Sequence, residues 1–117
     1  MIHHGFDVGA ATHIAQRDTN EDRAGAGVFA RGGYLIVADG VGGEPWGDEA
    51  SETVCHWVHA SLEKQVALAW ADQAPLDLMI KRAFRCASFG LRAVALQKRR
   101  SFGMKTTLIL AVVRDDE

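Results

Sequence analysis

Proline occurs only twice in this chain, tyrosine once, and no apolar run is long. With so little proline and twelve glycines that follow no period, collagen-like and low-complexity architectures are excluded. A helix that crosses a bilayer needs roughly 18 or more apolar residues in a row. The longest clean stretch here, Thr106 to Val113, is far shorter, so no membrane partner is expected. The opening MIHHGFDVGA has no basic segment followed by an apolar one, and no secretory signal is expected. Cys55 and Cys86 show no CxxC spacing and fall in helical patterns, which reads as two reduced, buried thiols in a cytoplasmic protein. Histidine offers no ligand cluster either: His56 and His59 stand three apart on one helix and read as a surface pair.

What is present is an ordinary globular composition, 48% hydrophobic and 24% charged, with a net charge of −2. A chain of 117 residues makes one domain with a small core. Its charge is unevenly spread. Residues 1–63 hold ten acids against three bases, and residues 64–117 hold ten bases against five acids. Between Lys81 and Lys105 there are eight bases and no acid. A run of this kind can meet nucleic acid or an acidic partner, but on a helix it is more often a solvated face. Nucleic acid is therefore not expected.

Periodicity predicts the order β-β-β-α-α-β. Phe6–Thr12 reads as a short strand and Ile14–Arg23 as a polar, turn-like segment. Ala24–Ala30 and Tyr34–Ala38 read as strands, with Arg31-Gly32-Gly33 as the hairpin turn between them. A helix is predicted from Asp48 to Trp70, with Ala50, Val54, Trp57, Val58, Leu62, Val66 and Ala69 on its apolar face. A second is predicted from Pro75 to Arg100, with Met79, Ile80, Ala83, Phe84, Ala87, Leu91, Val94 and Ala95 on one side. Thr106–Val113 is the last strand. Tyr34–Ala38 and Thr106–Val113 are apolar at consecutive positions, the pattern of strands covered on both faces. The two helices can cover one face of a sheet, and nothing else in the chain is left for the other.

Two segments stand apart from packing: Arg17-Asp18-Thr19-Asn20-Glu21-Asp22, and Asp39-Gly40-Val41-Gly42-Gly43 at the end of an apolar strand. Carboxylates gathered at one point repel unless a cation joins them. Hard divalent ions such as Mg²⁺ or Mn²⁺ take oxygen ligands and suit such a place. Read alone, Asp39-Gly40 is more often a turn and Arg17–Asp22 more often a solvated loop.

Three blocks in order make the sequence recognisable: QRDTNEDR at 16–23, VADGVGGEPWGDEAS at 37–51 and GMKTTLIL at 103–110. Together they resemble the amino-terminal half of the PPM-type, or type 2C, metal-dependent protein serine/threonine phosphatases, and they span nearly the whole chain. The resemblance implies an α+β fold, half of a β-sandwich flanked by helices and incomplete alone. It implies a phosphoserine or phosphothreonine protein as substrate and a two-metal site for Mn²⁺ or Mg²⁺. Asp39 would bridge the metals, and Glu21 and the Gly40 carbonyl would complete one of them. Asp22 would orient the attacking water, and Arg17 would hold the phosphate. The Asp-Gly-Val-Gly-Gly loop is of the bacterial style.

The departures carry as much meaning. Val41 stands where many eukaryotic members have a histidine that can protonate the leaving oxygen, and Lys105 stands where glycine is usual. The family's later Gly-Asp-Ser-Arg block and two further aspartates have no counterpart in residues 1–117. The expectation is a truncated phosphatase domain over 1–117, inactive by itself. Its bare sheet face would be covered by a second copy, in a homodimer, or by a complementing carboxy-terminal half. The alternative is a non-catalytic binding or assembly module, a dimeric pseudophosphatase fragment.

Overall fold

The computed structural model describes residues 22–40, 46–99 and 104–115. The expected strand Phe6–Thr12, and the site residues Arg17 and Glu21, lie outside them. Strand β1 (Asp22–Phe29) and β2 (Gly32–Asp39) form an antiparallel hairpin, and β3 (Ile109–Arg114) pairs with the other edge of β2. Helix α1 (Gly47–Ala67) and helix α2 (Leu76–Gln97) lie between β2 and β3 in the chain. The fold is α+β: a three-stranded antiparallel sheet in the order β1-β2-β3, with both helices on one side.

Most elements form where their patterns place them, and the differences have local causes. The hairpin turn is Ala30-Arg31 rather than Arg31-Gly32-Gly33, because Phe29 already pairs with Gly32. Gly32 is a strand residue pressed against β3: a Cβ there would lie 1.9 Å from the Val113 carbonyl oxygen. Asp22 and Arg23 belong to β1 and not to the preceding turn. Helix α1 stops at Ala67, short of Trp70, because Ala69 turns left-handed with φ 61°. Its amide donates to Val66 O, and that of Leu68 to Lys64 O, which ends the helix. A single 3₁₀ turn, Trp70–Asp72, follows. Pro75 caps α2 from outside, and Lys98 and Arg99 lie just past its end.

The core forms where α1 crosses the sheet. Tyr34, Ile36 and Ala38 of β2 meet Val54, Val58 and Leu62 of α1, with Met79, Ala83 and Ala87 of α2 behind them. Ala69, expected on the apolar face of α1, is exposed, and Ser51 and Gln65 are buried there instead. Ser51 donates to Asp48 O at 3.0 Å, and the Gln65 amide nitrogen donates to Met79 O at 3.3 Å, which ties it to α2. Gly90 lets the helices close, because the Trp57 indole fills the space its side chain would take. Lys98 Nζ meets Glu49 Oε2 at 3.1 Å and joins the end of α2 to the start of α1. At the far end of the sheet, the Arg31 and Arg114 guanidinium groups donate to carbonyls of the interhelix joint, at Asp72, Ala71 and Ala74.

Among the described residues, nothing covers the other sheet face. Along β2, Tyr34, Ile36 and Ala38 are at most 2% exposed, whereas Leu35 and Val37 are each 43% exposed. The register sets Val37 beside Ile109, and Val28 and Val113 on either side of Gly33. Ile109, Val113 and Val28 are 65%, 57% and 52% exposed. A contiguous apolar surface on this scale is unusual for a protein that stays alone. The doubly apolar strands of the sequence are explained by this face, which no described residue covers.

The left-handed alanine offers a direct check. A residue with a Cβ costs about 1 kcal/mol in that conformation and glycine does not. Ala69→Gly should raise stability by about 0.5–1 kcal/mol in urea unfolding, whereas Gly32→Ala should lower it by about 3 kcal/mol through its clash with β3.

Candidate functional site

One end of the sheet gathers the described parts of all three sequence blocks. Asp22, at the start of β1, is the register partner of Asp39, at the end of β2. Opposite residues of an antiparallel pair lie about 4.5–5.5 Å apart at Cα. Beyond Asp39 the β2–β3 ladder continues through an isolated bridge between Gly40 and Thr106. Thr107 then closes the end of the sheet. Its amide donates to Asp39 O at 2.9 Å, and its hydroxyl donates to the same carbonyl at 3.2 Å. The Asp39 amide in turn donates to Thr107 Oγ1 at 3.3 Å. A threonine at this place therefore supplies ladder bonds where regular pairing has stopped, which holds the Asp39 backbone fixed. The Asp39 residue is exposed, and Gly40 behind it is buried.

Of the residues expected to form a metal site, the structure thus describes Asp39 and Gly40, with Asp22 opposite in the backbone register. Among the described residues no group of three or more His, Cys, Asp or Glu converges as a metal site would require. The described donors, one exposed carboxylate and one neighbouring backbone turn, are oxygen donors suited to a hard cation, but they do not make a closed ligand set. Trp46, the residue before α1, is left-handed at φ 61°, a strained state for a bulky residue.

A second feature escaped the sequence reading. Tyr34, the sole tyrosine, is 2% exposed, and its ring lies over Gly27 of β1, where a Cβ would overlap it. Its hydroxyl donates to Glu63 Oε1 and lies 3.1 Å from His59 Nδ1. His59 keeps a surface position, its side chain 45% exposed, while its Nδ1 reaches the Tyr34 hydroxyl. The signal was available: His59 and Glu63 are four apart on α1 and face the side that packs on the sheet. Next to this network, Arg23, Ala24, Gly25 and Ala26 of β1 and Glu52, Cys55, His56 and His59 of α1 line an open cleft of about 400 Å³. Cys55 and Cys86 are free and half-buried, rather than fully buried as expected. Burial pushes the Cys55 thiol up, and the positive Arg23 nearby draws it partly back.

Burial, reinforced by the Glu63 carboxylate, raises the Tyr34 phenol well above its ordinary value near 10. The fold keeps the neutral phenol, while the unfolded chain releases its proton near pH 10, so stability falls as pH rises past that point. Tyr34→Phe should cost about 1 kcal/mol at neutral pH and should flatten the alkaline decline. Urea midpoints for both proteins from pH 7 to about 11 check both effects.

Comparison with known proteins agrees with the geometry. The chain matches no curated protein. A family model described as protein phosphatase 2C matches residues 9–117, which includes all three blocks and every element of the fold. The chain belongs to the protein phosphatase 2C family.

Proposed function

We propose that this chain carries the amino-terminal half of a PPM-type protein serine/threonine phosphatase site, and that 1–117 is inactive alone. The observation that supports this reading most is the meeting of Asp22, Asp39, Gly40 and Thr107 at one sheet end, where strand pairing brings the described parts of the three sequence blocks together. The family is metal-dependent in general, and its chemistry points to phosphoprotein substrates. In this reading Asp39 and Glu21 hold Mn²⁺ or Mg²⁺ with the Gly40 carbonyl. Asp22 orients the attacking water, and Arg17 binds the phosphate of a phosphoserine or phosphothreonine. Divalent ions there would supply charge neutralisation and a more acidic water. With valine rather than histidine at position 41, protonation of the leaving oxygen would use water. The two free thiols favour a cytoplasmic setting.

A second reading, a non-catalytic binding or assembly module, is favoured by one observation: the bare apolar face around Leu35, Val37 and Ile109. A second copy or a complementing carboxy-terminal half would bury it. Both readings meet in one experiment. Purified chain should show no Mn²⁺-dependent hydrolysis of p-nitrophenyl phosphate, yet should bind Mn²⁺ weakly by electron paramagnetic resonance. Glu21→Gln and Asp39→Asn should each weaken that binding by at least about tenfold. Rapid turnover abolished by Asp39→Asn would refute inactivity of the chain alone. Mn²⁺ binding that both substitutions leave unchanged would refute the metal site.

A further inference from the structure

The long basic stretch singled out in the sequence finds no role at Asp39. It lies on α2, whose two sides differ sharply. The inner side carries Met79, Ala83, Ala87 and Gly90, all buried. The outer side carries Leu78, Arg82, Arg85, Phe89, Arg92 and Leu96, at successive steps of four, three, four, three and four residues. That spacing keeps all six on one line along the helix, with apolar residues at Leu78, Phe89 and Leu96 and arginines between them. Phe89 is 69% exposed and Leu96 is 80% exposed, and they stand seven residues apart. Arg85 and Arg92 are exposed at the same spacing, and the small residues Ser88 and Ala93 flank the line.

Charge selects the occupant. The other bases of α2, and Lys98 just past its end, have partners. Lys81 lies 3.7 Å from Asp77, Lys98 meets Glu49, and the Arg82 guanidinium sits 4.6 Å over the Trp70 ring. Among the described residues Arg85 and Arg92 have no acidic neighbour, and α2 has no acid after Asp77. From Arg85 to Leu96 the seam runs about 16 Å at the helical rise. It is one helix wide, with its apolar residues in line between the arginines.

We propose that this outer seam of α2 docks an acidic amphipathic helix of a partner protein. Apolar residues of that helix pack on Phe89 and Leu96 while its carboxylates meet Arg85 and Arg92. A bilayer surface would take a helix by a broad apolar face with bases beside it, and the broad apolar face of α2 is turned inward. Single-stranded RNA would need several stacking platforms, and Phe89 alone among the seam residues is aromatic.

The test uses the full chain and a fluorescent four-heptad peptide with leucine at the core positions and glutamate beside them. Anisotropy should show saturable binding that weakens as salt is raised. Arg85→Glu with Arg92→Glu should weaken it by at least about tenfold, and Phe89→Ala alone by at least about threefold. A matching peptide with lysine for glutamate should prefer the double variant to the parent chain. All the changed residues are exposed, and circular dichroism verifies the helices; the Phe89→Ala result stands by itself if the double variant misfolds. Equal binding of the glutamate and lysine peptides to the parent chain would overturn the proposal. So would variants that bind like the parent, or displacement of the peptide by phosphatidylserine vesicles or by oligouridine at equal total charge.

Discussion

The reciprocal bonding of Thr107 to the Asp39 backbone is the constraint on which the rest depends. Regular pairing of β3 begins only at Ile109. Without Thr107 and the Gly40–Thr106 bridge, the end of β2 would be held on one side alone, by β1. With them, the segment bearing Asp39 is a central strand down to its last residue. A carboxylate on such a strand is positioned by backbone bonds on both sides, which is the rigidity a binding or catalytic constellation needs. The glycine that follows is buried and leaves no side chain between the strand and what it faces.

The opposite end of the molecule is secured by different means. There the arginines of the β1–β2 turn and of β3 reach the carbonyls between the helices. Those carbonyls belong to a joint that no regular ladder satisfies, so charged donors replace one. Tyr34 does comparable work in the middle. Its ring fills the space above Gly27, and its hydroxyl joins β2 to the middle of α1. Sheet and helix pair are thus joined by polar groups at two levels, the far end and the middle, with the aliphatic core between them.

Much of this was legible in the sequence because the signals were strong and local. The four-residue spacing of Val54, Val58 and Leu62, and of Met79, Ala83 and Ala87, marks both helices and their inner faces. Asp39 at the end of an apolar strand marked the site end of the sheet. The misses share one cause: they are decided by contacts remote in sequence. Gly32 looks like a turn residue until β3 lies on it. Gln65 looks solvated until α2 offers the Met79 carbonyl. His59 looks unattached until the Tyr34 hydroxyl reaches it from a strand 25 residues earlier. The Thr-Thr pair was read as the start of a strand, yet its contribution is made beside Asp39, 68 residues away.

The bare sheet face also shapes how the protein melts. Heat capacity rises on unfolding in proportion to the apolar surface newly wetted. Leu35, Val37, Ile109 and Val113 are already substantially wet in the folded chain, so they add little to that change. Set against the same side chains packed under a second layer, these four contribute a smaller rise. Anything that seats on those four side chains will register in a calorimeter as a negative heat capacity of association, whatever the heat of binding itself.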